Sequence, residues 1–175
     1  MCPTSVTSEG KSHRSISLDE YKALFGNHPG GVAVITVGGA RPAGFTATSV
    51  ISVSAVPPLL VFSINKTSSS WPIVVEAKSA VVHFLSNKDR ALADRFATSG
   101  IDRFADLPYS ELGTGEPLIT EVATWAQGTL INRVEVGSSA LFVLQIESSS
   151  ASADHQPLVY RARNYYQLGD ESKLG

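Results

Sequence analysis

The sequence predicts a mainly β protein with a few short helices, folded as one antiparallel, closed or partly closed barrel. Three observations predict it. Apolar and β-branched runs of strand length recur at residues 32–37, 59–65, 80–85, 126–136 and 140–147. Glycine, proline and serine clusters of hairpin type separate many of them, as at Gly38-Gly39-Ala40-Arg41-Pro42 and Gly137-Ser138-Ser139. The 175 residues, 43% hydrophobic and 17% charged, suit a single core of ordinary size.

The elements follow in order. Residues 1–16 are polar and serine-rich and read as a flexible tail. Ser17 and Glu20 form a capping-box pattern ahead of a helix whose apolar stripe is Leu18, Tyr21, Leu24 and Phe25. Gly26 and Asn27 can end it, and His28-Pro29-Gly30-Gly31 makes a turn. A strand over 32–37 leads through the glycine loop into residues 44–54. There, Phe45, Ala47, Ile51 and Val53 share one parity, with Ser49, while Thr46, Thr48, Ser52 and Ser54 share the other, with Val50. That alternation predicts one strand with an apolar face and a hydroxyl-bearing face. Pro57-Pro58 precedes the next strand, over 59–65.

Residues 72–77 read either as a short helix opened by Ser69 or Ser70, or as a strand, because Ile73, Val74 and Val75 are strand formers. Ser86 and Asp89 form a second capping box before a helix that presents Leu92, Ala93, Phe96 and Ala97 on one face. Residues 101–124 are irregular, and two long strands, a polar loop over 148–156 and two short strands close the domain.

Several function classes lack support. The net charge is −2 and no basic block exists, so nucleic acid is not an expected partner. No apolar run approaches the roughly 20 residues of a membrane span, and the start of the chain lacks the apolar core of a secretion signal, so the cytoplasm is the expected location. Cys2 is the only cysteine, which excludes an internal disulfide. The four histidines, His13, His28, His83 and His155, form no metal-binding spacing.

Taken together, the segments resemble the flavin reductase-like family. The pieces are GVAVIT at 31–36, GFTATSVISVS at 44–54, PPLL at 57–60, TSSSWP at 67–72, LADRFA at 92–97, DRF at 102–104 and PLVY at 157–160. The resemblance implies the FMN-binding split barrel, an antiparallel Greek-key fold, over residues 17–168, with a C-terminal tail at 169–175. It also implies a homodimer that binds FMN or FAD, with NADH or NADPH as hydride donor, and a flavin-dependent monooxygenase as the partner taking reduced flavin.

By the same resemblance, Thr46, Ala47, Thr48 and Ser49 line the flavin, and Ser63 and Asn65 touch its ribityl chain or ring. Lys66, Thr67, Ser68, Ser69 and Ser70 hold the phosphate, where hydroxyls and backbone amides suit an anion. Arg95, Phe96 and Arg103 border the ligand, Arg95 having an ordinary solvated helix face as its alternative. No residue is assigned as a catalytic acid or base. Many family members read Gly-Asp-His where this chain has Gly137-Ser138-Ser139, and that histidine is associated with nicotinamide binding. Its loss opens a second reading, a flavin-binding protein without nicotinamide turnover. A third reading, haem binding, requires His28 or His83 as axial ligand.

Overall fold

The computed structural model describes residues 15–174. Its helices are α1 (Leu18–Gly26), α2 (Trp71–Val74) and α3 (Arg90–Ala97). Its strands are β1 (Gly30–Gly31), β2 (Ala33–Val37), β3 (Ala43–Ala47), β4 (Val50–Ala55), β5 (Pro58–Asn65), β6 (Ser79–Phe84), β7 (Tyr109–Glu111), β8 (Pro117–Ile119), β9 (Trp125–Val136), β10 (Ser139–Ser150), β11 (Leu158–Arg161) and β12 (Asn164–Gln167). Cys2, His13 and most of the serine-rich tail lie outside the described residues. No helix among the described residues is long and apolar enough to cross a membrane.

Seven strands form the main antiparallel sheet in the order β3-β2-β6-β9-β10-β5-β4. Its two edges, β3 and β4, are consecutive in sequence and separated by Thr48 and Ser49 alone. The sheet therefore curls until its edges come together, and the seam of the barrel falls at those two residues. β1, β11 and β12 make a second small sheet, and β7 pairs with β8 as a two-stranded ribbon. That ribbon lies within 101–124, where the pattern looked irregular because its three-residue strands are too short to show alternation.

β2 is buried along its whole length because it packs on both faces. Ile35 and Val37 face the barrel interior with Phe45, Phe62 and Phe142. Val34 faces a second cluster with Ala93 and Phe96 of α3, Ile119 of β8 and Leu158 of β11. Phe62 stacks on Phe142 at 5.4 Å, and Trp71 meets Phe142 edge-on at 6.3 Å, which places Trp71 against the core. Interior burial of this kind contributes about 1.5–3 kcal/mol per large side chain.

Both expected capping boxes form. Ser17 Oγ accepts from the Glu20 amide, and the Glu20 carboxylate accepts from the Ser17 amide. At the second, the Ser86 amide and hydroxyl both donate to the Asp89 carboxylate, at 2.7 and 2.6 Å, ahead of a turn of 3-10 helix over Asn87–Asp89 that runs into α3. The apolar stripe of α1, by contrast, is not buried: Leu18, Tyr21, Leu24 and Phe25 are each more than half exposed. In α3, Ala97 is exposed, while Ala93 and Phe96 are fully buried.

The single strand expected across residues 44–54 is two. The break at Thr48 and Ser49 reverses which parity points inward, as any change of strand register must. Phe45 and Ala47 are buried, yet past the break Val50 packs on the core and Ile51 and Val53 are 60% and 54% exposed.

Candidate functional site

The side chains expected to hold a ligand gather around the seam. Thr46, Ala47, Thr48 and Ser49 leave β3, Ser63 and Asn65 end β5, and Phe96 comes from α3. With Ser68 and Arg103 they line a slot of about 350 Å³. The Thr48 hydroxyl has no partner among the described residues. Ser49 Oγ and Ser63 Oγ lie 2.7 Å apart and share a hydrogen bond across the seam. Thr46 Oγ1 instead donates to the Ala93 carbonyl at 2.6 Å, so its hydroxyl proton fastens α3 to the barrel.

The charged end of the slot is Arg103. Its Nη1 donates to the Gly44 carbonyl at 2.8 Å and to Ser70 Oγ at 2.7 Å, and its Nη2 donates to Ser69 Oγ at 3.1 Å. Its Nε donates to the Thr98 carbonyl at 2.9 Å. Four of the five guanidinium hydrogens are thus bonded to neutral oxygens, and one on Nη2 is left. No carboxylate among the described residues forms an ion pair with it. Burial pulls the guanidinium below its ordinary pKa, and it stays charged at neutral pH. The hydroxyl protons of Ser68 and Ser69 also lack acceptors among the described residues. A half-buried cation ringed by free donors fits an anion.

Ser70 is the N-cap residue of α2, which settles the 72–77 segment as a short helix followed by a turn. Its hydroxyl does not cap the helix. It donates to the Gly44 carbonyl at 2.8 Å and is buried beneath Arg103. Gly44 was not among the expected site residues, although its carbonyl is the acceptor that both Ser70 and Arg103 use. The glycine itself was the available signal: a Cβ there would sit 2.6 Å from Phe96 Cε1 and 2.9 Å from the Ile35 carbonyl. Ser99 is a further lining residue not anticipated.

Five expected residues do not line the slot: Ser69 and Ser70 line a neighbouring cavity beyond Arg103, and Lys66, Thr67 and Arg95 line neither. Lys66 Nζ pairs with Glu135 at 2.7 Å, and that pair holds the Glu135 carboxyl below its usual range. Thr67 turns back, its amide and hydroxyl both donating to Asn65 Oδ1 at 2.9 and 2.8 Å. Arg95 lies on α3 away from the lining. The DRF arginine, rather than the one in LADRFA or the lysine before the serines, carries the charge.

Ser139 pairs with Asn65 in the β5–β10 ladder and with Val136 in the β9–β10 ladder. Facing residues of a ladder share a face, so Ser139 lies on the same face as Asn65, a lining residue, without itself lining the slot. The next row, Ser63–Leu141–Val134, lies on the same outer face. Among the described residues, no histidine lines the slot. His28 is exposed in its turn. His83 is fully buried, Nδ1 donating to the Val34 carbonyl at 3.1 Å and Nε2 accepting from the Ile119 amide at 3.0 Å, so neither nitrogen is open to haem iron. Desolvation lowers its pKa to about 4 and keeps it neutral.

A second cavity, of about 660 Å³, opens on the other side of Arg103. Arg103 lines both cavities, Gly44, Ser69 and Ser70 line this one beside it, and Arg41, Asp102 and Tyr109 are also among its lining residues. Asp102 Oδ1 accepts from the Phe104 amide at 3.0 Å.

Comparison with known proteins agrees with this fold. The model of the flavin reductase like domain matches residues 25–169. An NADH:FMN oxidoreductase of Rhodococcus erythropolis is 38% identical over 158 residues, covering 87% of this chain and 82% of that protein. The reductase component of a flavin-dependent trigonelline monooxygenase of Acinetobacter baylyi is 33% identical over 137 residues, covering 77% of this chain and 44% of that protein. The crystal structure of a flavin reductase domain protein from Arthrobacter sp. FB24 superposes with a TM-score of 0.82 at 35% identity, covering 86% of this chain and 95% of that one.

Proposed function

The chain belongs to the flavin reductase-like domain family, and from that premise we propose that it is an NAD(P)H-dependent flavin oxidoreductase with its flavin in the slot at the barrel seam. The observation that carries the placement is Arg103, a cation without a carboxylate, set with Ser69 and Ser70 at the end of a hydroxyl-lined slot. Arg103 and the free Ser68 and Ser69 hydroxyls hold the phosphate. Thr48, Ser49 and the Asn65 amide meet the polar edge of the ring, and Ala47 and Phe96 leave it an apolar floor. Bound flavin supplies the chemistry, accepting hydride from a nicotinamide and passing electrons on to oxygen or to a partner monooxygenase. The chain's own part is to position the ring and exclude water, which needs no acid or base.

A homodimer that closes the slot belongs to the same proposal. Ile51, Val134, Val136 and Leu141 lie on the outer face of the sheet, all exposed, in or beside the rows that hold Ser63, Asn65 and Ser139. An exposed apolar sheet face of this extent suits a protein partner, and a second copy seated on it would cover the open side of the slot. A cytoplasmic location and a monooxygenase as acceptor complete the reading.

Stopped-flow mixing of the flavin-loaded protein with NADH or NADPH tests the activity. The flavin absorbance peak bleaches with at least one donor; no bleaching with either rejects the reductase. Ser139 beside Asn65, in place of histidine, favours one other reading, a flavin holder without nicotinamide turnover. Steady reduction of added free flavin rejects that one.

A further inference from the structure

A mononucleotide leaves the cavity beyond Arg103 without a role. That cavity meets the slot at the Arg103 guanidinium, so a phosphate held there is touched from both sides. Its volume of about 660 Å³ lies within the roughly 300–1,000 Å³ of pockets that hold whole small ligands. Its walls change character with distance from Arg103. Asp102 has one carboxylate oxygen bonded to the Phe104 amide and the other without a partner among the described residues. A carboxylate so placed accepts ribose hydroxyls, its usual task beside a nucleoside. The rings of Phe104 and Tyr109 meet at 5.5 Å and 74°, leaving the exposed Tyr109 ring a free face against which a purine can stack. Arg41, exposed in the loop between β2 and β3 and without a partner among the described residues, is a second guanidinium for a second phosphate.

Cation, carboxylate and aromatic ring are the three groups that a nucleoside monophosphate needs, and here they continue from the point where a flavin phosphate ends. We propose that this cavity receives the adenylate half of FAD, and that the chain consequently holds FAD more tightly than FMN. The inference rests on the reading that flavin occupies the slot.

Calorimetric titration of the full chain with FMN and with FAD tests it, using Tyr109→Ala and Arg41→Ala beside the parent. The parent binds FAD about tenfold more tightly than FMN, and each variant weakens FAD by about tenfold, the loss expected for one stacked base or one charged contact. FMN affinity stays within twofold in both. Arg41 is an exposed loop residue, so its variant answers even if Tyr109→Ala folds poorly. Equal affinity of the parent for the two flavins, or a loss shared equally by both, overturns the proposal while leaving the flavin slot intact. So does a variant that raises the KM for NADH with FAD binding unchanged, since the cavity then serves the nicotinamide dinucleotide. Failure of the parent to bind either flavin overturns the slot reading itself.

Discussion

At the scale of single residues, His83 ties folding to pH. Its ring is neutral and buried, with Nε2 accepting from the Ile119 amide. Its folded pKa, about 4, lies below the ordinary 6.5. Between those values the unfolded chain binds a proton that the folded chain does not, so stability falls as pH drops through this window and is level above it. The full loss is about 3 kcal/mol from the shift, and chemical denaturation at pH 4.5 and 7.5 should show most of it. His83→Gln should flatten that slope. Protonation removes the Nε2 lone pair, so the Ile119 amide loses its acceptor and the β7–β8 ribbon loosens first. The slope was legible in neither composition nor spacing. A histidine in a β-branched strand looks the same whether its ring points to solvent or into the core.

At the scale of elements, the informative feature is the reversal of parity between β3 and β4. Alternation over 44–54 was visible in the sequence, and the positions of Phe45, Ala47 and the seam hydroxyls followed from it. What the pattern did not reveal was the break, because Thr48 and Ser49 are as compatible with a strand as with a corner. The consequence is that Ile51 and Val53, expected to be internal, join Val134, Val136 and Leu141 among the exposed apolar side chains of the sheet. Val134→Asp tests whether a second copy covers them. Sedimentation velocity should show the dimer dissociation constant rising at least tenfold, equivalent to about 1.4 kcal/mol, and flavin affinity should fall with it. The far-UV spectrum should stay unchanged, because Val134 is already 45% exposed in the single chain. A dimer unaffected by this charge would place the contact on another face.

At the scale of the whole molecule, barrel and site were legible to different degrees. Strand-length runs and the two capping boxes locate most elements, since each is a local signal. Most of the residues expected at the ligand converge, because they flank the seam. Lys66, Thr67 and Arg95 do not: Glu135 on a distant strand takes Lys66, Asn65 takes Thr67, and the helical phase of α3 turns Arg95 aside from the lining. The second cavity was hidden because Arg41, Asp102 and Tyr109 are drawn from a hairpin loop and an irregular segment that only the fold brings together. Ser139 adds a question for the assembled protein, since it neighbours Asn65 in the ladder at the position where the family resemblance implies a histidine. Ser139→His should change the KM for NADH by about two- to tenfold, the worth of one hydrogen bond, while the dissociation constant for flavin stays within twofold. A shift in flavin affinity instead would mean that position 139 touches the ring itself.

The two residues that close the sheet have a mechanical consequence for the proposed carriage of flavin. β3 and β4 end the sheet on opposite sides, and only Thr48 and Ser49 tether them. On the proposed reading, a planar guest lodged against that tether would act as a rivet through the sheet's open margin, stiffening both borders at once. Handing that guest to another protein would then mean undoing the rivet, so the tempo of delivery and the breathing of the margin would be the same mechanical event.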